Sequence, residues 1–261
     1  MSKVRPAAVA GMFYPDEPAT LQQTVRRFLD QATVSGPPPR AIIAPHAGYI
    51  YSGPIAANAY HLLEARRDQI KRVVLLGPSH RVPLLGLAAS SADSFATPLG
   101  DVPLDREMIT RLTRLPQVKI MDEAHMMEHS LEVQLPFLQT ILAEFKLVPL
   151  VVGEASADEV CEVLEQAGLS DATLIVISSD LSHYHDYTTA RQMDRQTSDA
   201  IEHLQPNQLS YEDACGRIPV SGMLKLAQKL GLRAETIDLR NSGDTAGSRD
   251  QVVGYGAYVF R

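Results

Sequence analysis

The chain has 261 residues and a formal net charge of −7, and 45% of its residues are hydrophobic. Its acidic charge and the absence of a Lys/Arg cluster argue against a nucleic-acid partner, because phosphate neutralisation usually supplies most of that affinity. No apolar run is long enough to span a membrane, and no signal-peptide pattern is present. No linker divides the chain, so we expect a single cytoplasmic domain over residues 1–261 with no membrane partner.

Short β-branched runs alternate with amphipathic segments, which is typical of a layered α/β sheet. Strands are predicted over residues 40–44, 72–77, 84–90, 146–153, 173–179, 234–239 and 252–260. Helices are predicted from Asp16 onward and over residues 54–66, 105–114, 128–143, 156–167, 187–204 and 219–230. We therefore expect a three-layer α/β domain with a mostly parallel or mixed central sheet flanked by helices. Cys161 and Cys215 fall in helical patterns and are expected to be reduced core thiols.

Polar side chains follow four of the predicted strands where each strand ends. His46 and His80 follow the first two strands, Asp180 and His183 follow a third, and Asp244 follows a fourth. Open α/β sheets bind ligands beyond the carboxyl ends of their strands, so these side chains should share one edge of the sheet. A single buried histidine is usually a packed core residue, but core histidines have no reason to favour strand exits.

His46, His80 and Asp244 form a His/His/carboxylate set that suits either a non-haem Fe(II) centre or a catalytic zinc. His183 would then be a base without a metal bond, and Asp180 would orient an imidazole or cap a turn. Tyr49 and Tyr51 follow His46 and would either line a substrate pocket or pack in the core.

The letters His125-Met-Met-Glu128-His129 match the H-x-x-E-H pattern of inverted zinc proteases. That interpretation requires both histidines in mid-helix, whereas the sustained apolar spacing begins with Leu131 and places the helix start near Glu128. A protease site would also leave the strand-exit residues without a role. We therefore expect His125 to bind no metal.

Five ordered motifs, "PHAGYIYSG", "LLGPSH", "EHSLEVQLPFL", "SSDLSHY" and "NSGD" before "VVGYGAY", resemble the Memo family, known in microbes as protein B of the AmmeMemoRadiSam system. The resemblance extends from Val4 to Phe260. It implies the fold of class III extradiol ring-cleavage dioxygenases, in which non-haem Fe(II) opens catechol rings.

This resemblance also implies roles for individual residues. His46 and His80 match metal ligands, His129 and His183 match pocket histidines, and Asp180 matches an acidic residue beside them. Animal members have a cysteine as third ligand, where this sequence has Asp244 in the corresponding region.

The resemblance implies a divalent metal, foremost Fe(II), with Zn or Cu as alternatives. Three functions follow from these observations: a dioxygenase-like redox enzyme working with an AMMECR1-type protein and a radical SAM enzyme, an adaptor that binds phosphopeptides or other anions, or a zinc-dependent hydrolase.

Overall fold

The computed structural model describes residues 3–261, and a mixed β-sheet runs through its centre. Within this range the sheet has the strand order β10-β12-β2-β9-β3-β8-β4-β7, and β11 also pairs with β12. The strands are β1 (Val4–Arg5), β2 (Ala41–Ala44), β3 (Arg72–Pro78), β4 (Leu87–Ala89), β5 (Ser94–Thr97), β6 (Gly100–Pro103), β7 (Val118–Ile120), β8 (Lys146–Val152), β9 (Thr173–Ser178), β10 (His183–His185), β11 (Ala234–Asn241) and β12 (Val252–Phe260). Strands β1, β5 and β6 form a separate small sheet.

Helices flank the central sheet, as the sequence predicted. They are α1 (Pro18–Asp30), α2 (Tyr49–His61), α3 (Arg106–Leu112), α4 (Asp122–Met126), α5 (Leu135–Ile141), α6 (Ala157–Ala167), α7 (Tyr187–Glu202) and α8 (Arg217–Leu230). Helices α1, α2 and α5 pack together, α8 packs on α6 and on the sheet, and α7 covers β11 and β12. The prediction of one α/β domain with a mixed sheet is therefore confirmed. No helix among residues 3–261 is long and apolar enough to cross a membrane.

Four strands at the centre of the sheet, β2, β9, β3 and β8, run parallel to one another. All four residues of β2 and all six of β9 are buried, which is why these segments read as continuous apolar runs. Because parallel strands end at the same edge of a sheet, the residues that follow β2, β9 and β3 emerge side by side. This edge carries the candidate site.

Two helices differ from the prediction. Helix α2 begins at Tyr49, five residues before the predicted start, and contains Pro54 in its interior. Proline is favoured in the first turn of a helix, so its position well inside α2 is the unexpected feature. The segment predicted as one helix over 128–143 instead consists of a turn that carries Glu128 and His129, a 3₁₀ segment at Glu132–Gln134, and then α5, which ends at Ile141; α4 lies before this segment.

Candidate metal centre

Three imidazole rings meet beyond the carboxyl ends of β2 and β3. The ring centroids of His46 and His80 are 5.2 Å apart, and the ring of His129 lies 5.4 Å from His46 and 4.6 Å from His80. His46 follows β2 and His80 follows β3, while His129 comes from the turn before α5. The structure thus brings together three of the four histidines that were expected to share a pocket, the fourth being His183.

The protonation of His46 follows from the hydrogen bonds of Ser178 at the end of β9. The Ser178 hydroxyl donates to the carbonyl of Ser130 at 2.6 Å and accepts from the Gln134 amide at 2.8 Å. Since its one proton is used, it can only accept from Nδ1 of His46, 2.9 Å away. The proton of His46 therefore sits on Nδ1, and Nε2 is unprotonated and able to accept from the Cys215 thiol, 3.3 Å away.

Glu128 fixes His80 in the same way. Its carboxylate accepts from Nδ1 of His80 at 2.9 Å, from the His80 backbone N–H at 2.6 Å and from the Ser130 N–H at 2.9 Å. Burial raises the pKa of Glu128, but these hydrogen bonds outweigh burial and lower the pKa to about 2. An ionised carboxylate only accepts, so Nδ1 of His80 holds the proton and Nε2 is left to bind a ligand.

His129 is held mainly by ring packing. It stacks on His80 with an interplanar angle of 25°, and its other neighbour is Phe13, at a centroid distance of 4.7 Å. Nδ1 of His129 is buried and has no hydrogen bond, with the Glu128 carboxylate 3.4 Å away. Burial lowers the pKa of His129, and burial together with the neighbouring His80 and His129 also lowers the pKa of His46. The imidazoles of His46 and His129 are therefore neutral at neutral pH.

Cys215 lies next to the three histidines. Its Sγ lies 3.3 Å from Nε2 of His46 and accepts a hydrogen bond from the backbone N–H of Asp180 at 3.3 Å. Gly216 permits this approach, because a Cβ at position 216 would lie 2.6 Å from Cβ of Ser179. Burial, followed by the charge of Asp180, raises the pKa of the Cys215 thiol.

Two overlapping groups of donors have the spacing of a metal site within the described chain: His46 with His80 and Cys215, and His80 with Glu128 and His129. In each group the ligand atoms lie within 4.8 Å of one another. The second group would need the Glu128 oxygens, which already accept three hydrogen bonds. The first group offers the free Nε2 atoms and a thiol, so it is better suited to a transition metal.

Asp180 and His183 lie beside this group. Oδ1 of Asp180 accepts the backbone N–H of His46 at 2.7 Å, and Oδ2 is 3.9 Å from Nε2 of His46. Burial raises the pKa of Asp180, and the nearby His183 opposes that effect. His183 is half-buried and close enough to act electrostatically on both His46 and Asp180.

Asp244, predicted as the third ligand, lies elsewhere. Its carboxylate accepts from the Tyr187 hydroxyl at 2.6 Å and the Asn241 N–H at 3.2 Å, and it belongs to neither donor group found within residues 3–261. The reason is topological. Strand β11 pairs with Gly254–Phe260 of β12, and β2 pairs with Tyr258–Phe260, so β2 and β11 occupy opposite edges of β12. Asp244, which follows β11, is thereby separated from His46 by a whole strand.

The two predicted pocket tyrosines have different environments. Tyr49 is 2% exposed, donates its hydroxyl to the Val133 carbonyl at 2.7 Å and packs on Phe137. Of the two alternatives for Tyr49, this environment matches packing in the core and corrects its assignment to substrate binding. Tyr51 is half-buried. Both Tyr51 and Asp180 are in electrostatic range of Tyr255.

His125 also has a core environment. Its Nε2 donates to the Ala88 carbonyl at 3.0 Å, and burial lowers its pKa to about 4. The following turn is held by Arg5, which donates to the carbonyls of His125 at 2.9 Å and Glu128 at 2.7 Å and pairs with buried Glu132. The letters of the protease pattern therefore serve separate purposes: His125 anchors the turn, whereas Glu128 and His129 face the pocket.

Sequence reasoning missed Cys215 and the orienting roles of Ser178 and Glu128. Cys215 was assigned to a helix, yet it precedes α8 in a loop. The Cys-Gly pair directly before a proline-containing helix start was the available signal, since glycine there allows a close backbone approach. Ser178 lies at the end of an apolar strand, and nothing in the sequence distinguishes it from an ordinary strand residue.

A mixed α/β sheet with imidazole, carboxylate and thiol groups gathered beyond its parallel strands is the arrangement of α/β proteins whose ligand sites lie at the strand ends, and it makes this group the candidate site. The family model described as "Memo-like protein" matches residues 5–259, and the chain belongs to this family. It is 36% identical to a MEMO1 family protein of Aquifex aeolicus over 99% of each chain, and 36% identical to the MEMO1 family protein MJ0403 of Methanocaldococcus jannaschii with the same coverage.

A solved structure extends the comparison at the level of the fold. The uncharacterized protein JW3007 from Escherichia coli K12 superimposes with a TM-score of 0.54 at 14% identity, covering 82% of this chain and 98% of the other. At this identity the likeness concerns the fold alone.

Proposed function

We propose that this protein is a metal-dependent oxidoreductase that holds one divalent transition-metal ion, foremost Fe(II), on His46, His80 and Cys215. The observation that carries the proposal is the pair of fixed tautomers. Ser178 and Glu128 each occupy Nδ1 of a histidine, and both histidines keep Nε2 for a ligand beside the Cys215 thiol. Orientation of metal-binding imidazoles by such partners is the general pattern in metalloproteins.

The donor set fits Fe(II), Zn and Cu, since all three accept imidazole together with thiolate. A metal cation beside Cys215 would favour its thiolate, opposing the effect of burial. When bound, the metal would act as a Lewis acid that orients a substrate with two adjacent oxygens and, in the oxidative reaction, molecular oxygen.

Residues around the metal ligands would handle protons and substrate orientation. Asp180 and His183 lie next to His46 without belonging to the ligand group, which supports a role for His183 in taking a proton from a phenolic hydroxyl, with Asp180 balancing the charge that forms. The His129 ring, stacked on His80 and Phe13, would steady negative charge on the substrate. The aromatic surroundings suit a small phenolic or enediol-like compound.

The electrostatics favour this function over anion capture. His46 and His129 are held neutral, while Glu128 is ionised at the same site. A pocket for a phosphopeptide would instead present fixed cations, usually arginines. A zinc hydrolase would use the same ligands, so metal identity and oxygen consumption separate it from the oxidative enzyme.

The experiment is metal analysis of protein purified without oxygen, for the wild type and for His46→Ala, followed by oxygen-uptake measurements with a panel of catechols. We expect about one iron per chain in the wild type, loss of the metal in the variant, and oxygen uptake with at least one catechol. A wild type that contains no metal and cannot be loaded would disprove the metal site. Bound zinc with ester or amide hydrolysis would identify the hydrolase instead.

A further inference from the structure

Tyr184, the residue after His183, has an unfavourable backbone conformation. Its φ is +62°, and the other non-glycine residue with positive φ in the described chain is Leu204. In this region the Cβ of an L-residue crowds its own backbone, and glycine is the residue that adopts it readily. An aromatic residue in this conformation lowers the stability of the fold unless its side chain makes compensating contacts or serves a function.

The pairing of β10 with β12 explains how this conformation arises. His183 pairs with Val253 and His185 pairs with Val252. Two residues that are two positions apart on β10 therefore pair with two adjacent residues on β12. Tyr184 is the extra residue of this β-bulge. Bulges of this kind redirect side chains and are frequent beside active sites.

The side chain points away from the core. Tyr184 is 70% exposed, its ring centroid lies 5.8 Å from that of His183, and it is in electrostatic range of Tyr255. His183, whose ring Tyr184 contacts, is in electrostatic range of both His46 and Asp180, so Tyr184 stands beside the candidate site. Packing within the fold therefore does not account for the aromatic ring.

We propose that Tyr184 is a substrate-contacting residue whose ring packs against the face of a planar aromatic compound bound at the His46/His80/Cys215 group. This inference rests on the proposed function and adds the residue that selects for an aromatic substrate. Phe13, packed on His129, provides another aromatic surface at the same pocket. Aromatic faces on its walls favour a flat ligand over an aliphatic one.

The test uses 4-nitrocatechol, a coloured aromatic diol, with protein loaded with Fe(II) under anaerobic conditions. The variants are Tyr184→Phe, which keeps the ring, Tyr184→Ala, which removes it, and Tyr184→Gly, which removes it and relieves the backbone. Leu230→Ala is the matched control, because Leu230 is 50% exposed at the far end of α8, about 20 Å along the helix from Cys215.

We expect Tyr184→Ala and Tyr184→Gly to raise the Kd of the probe about 3- to 10-fold, and Tyr184→Phe and Leu230→Ala to change it less than 2-fold. Metal content should be unchanged in all variants. Without metal or probe, Tyr184→Gly should raise the Tm by about 2 °C, because the strain is removed.

An unchanged Kd in Tyr184→Ala, or no binding of the probe by the metal-loaded wild type, would overturn the role of Tyr184. A lower Tm for Tyr184→Gly would overturn it as well, since the ring would then be needed for folding. Failure of the proposed function looks different: either the wild type would not retain metal, or it would retain zinc and hydrolyse esters or amides without consuming oxygen.

Discussion

The carboxylate of Glu128 accepts a hydrogen bond from Nδ1 of His80 at 2.9 Å and from the His80 backbone N–H at 2.6 Å. One acidic residue thus fixes both the ring and the main chain of a histidine that follows a different strand. In metalloproteins such a partner holds the imidazole in the tautomer that binds the metal and increases its basicity. In the proposed site, this relationship would hold His80 ready as a ligand before any ion binds.

Glu128→Gln should weaken metal binding about 10- to 100-fold, because the neutral amide no longer fixes the tautomer of His80. The measurement is competition against a chelator of known affinity. Glu123→Gln, in the exposed first turn of α4, is the matched control and should leave the affinity unchanged. Equal affinities for Glu128→Gln and the wild type would show that the carboxylate only stabilises the turn.

Cys215→Ser should remove the sulfur-to-metal charge-transfer band from the spectrum of the cobalt-substituted protein, because the hydroxyl is a harder and weaker donor than the thiolate. Cys161→Ser is the control, since Cys161 is the other free cysteine and is buried in α6. If the band persists in Cys215→Ser, the thiol is not a ligand.

Asp244→Asn should change metal affinity less than 2-fold. The carboxylate is bound by Tyr187 and Asn241 on the far edge of β12, so its charge does not reach the ligand group through a direct contact. The same chelator competition measures this. A loss of 10-fold or more would return Asp244 to the ligand set and contradict the arrangement described above.

Asp194 gives the fold a pH dependence. It is 1% exposed, and burial raises its pKa from the ordinary 3.8 to about 6. Its neutral form therefore favours the folded state: this contribution is complete below pH 3.8 and is lost as the pH rises through about 6. One pH unit corresponds to about 1.4 kcal/mol, so ionisation destabilises the fold by up to about 3 kcal/mol.

Asp194→Asn should remove this effect. Chemical denaturation should show that the free energy of unfolding of the variant, relative to the wild type, increases by up to about 3 kcal/mol between pH 4 and pH 8. Asp199→Asn, on the exposed face of the same helix, controls for the loss of a carboxylate from α7. A difference that does not change with pH would mean that Asp194 is not the group responsible.

Regular patterns in the sequence predicted the central sheet and two residues of the candidate site, His46 and His80. Apolar runs such as residues 173–178 identify buried parallel strands, and the edge where they end brings His46 and His80 together. His129 was placed through resemblance to the Memo family, and the ring distances agree with it.

The remainder depends on tertiary geometry that no local pattern encodes. Asp244 follows a strand as His46 does, but which edge of β12 each strand occupies is decided by the whole sheet. Cys215 is 169 residues from His46 in the chain and reaches it through a loop that crosses the end of β9, where the Gly216 N–H donates to the Ser179 hydroxyl at 3.0 Å. Neither the separation of Asp244 from His46 nor the closeness of Cys215 to His46 could be derived from sequence spacing or periodicity.

The most direct test of the metal centre is X-ray diffraction from metal-loaded crystals, collected at the absorption edges of iron, copper and zinc. We predict one anomalous peak at about 2.0–2.3 Å from Nε2 of His46, Nε2 of His80 and Sγ of Cys215. A peak bound by Nδ1 of His80, Glu128 and His129, or the absence of any peak in this pocket, would contradict that prediction.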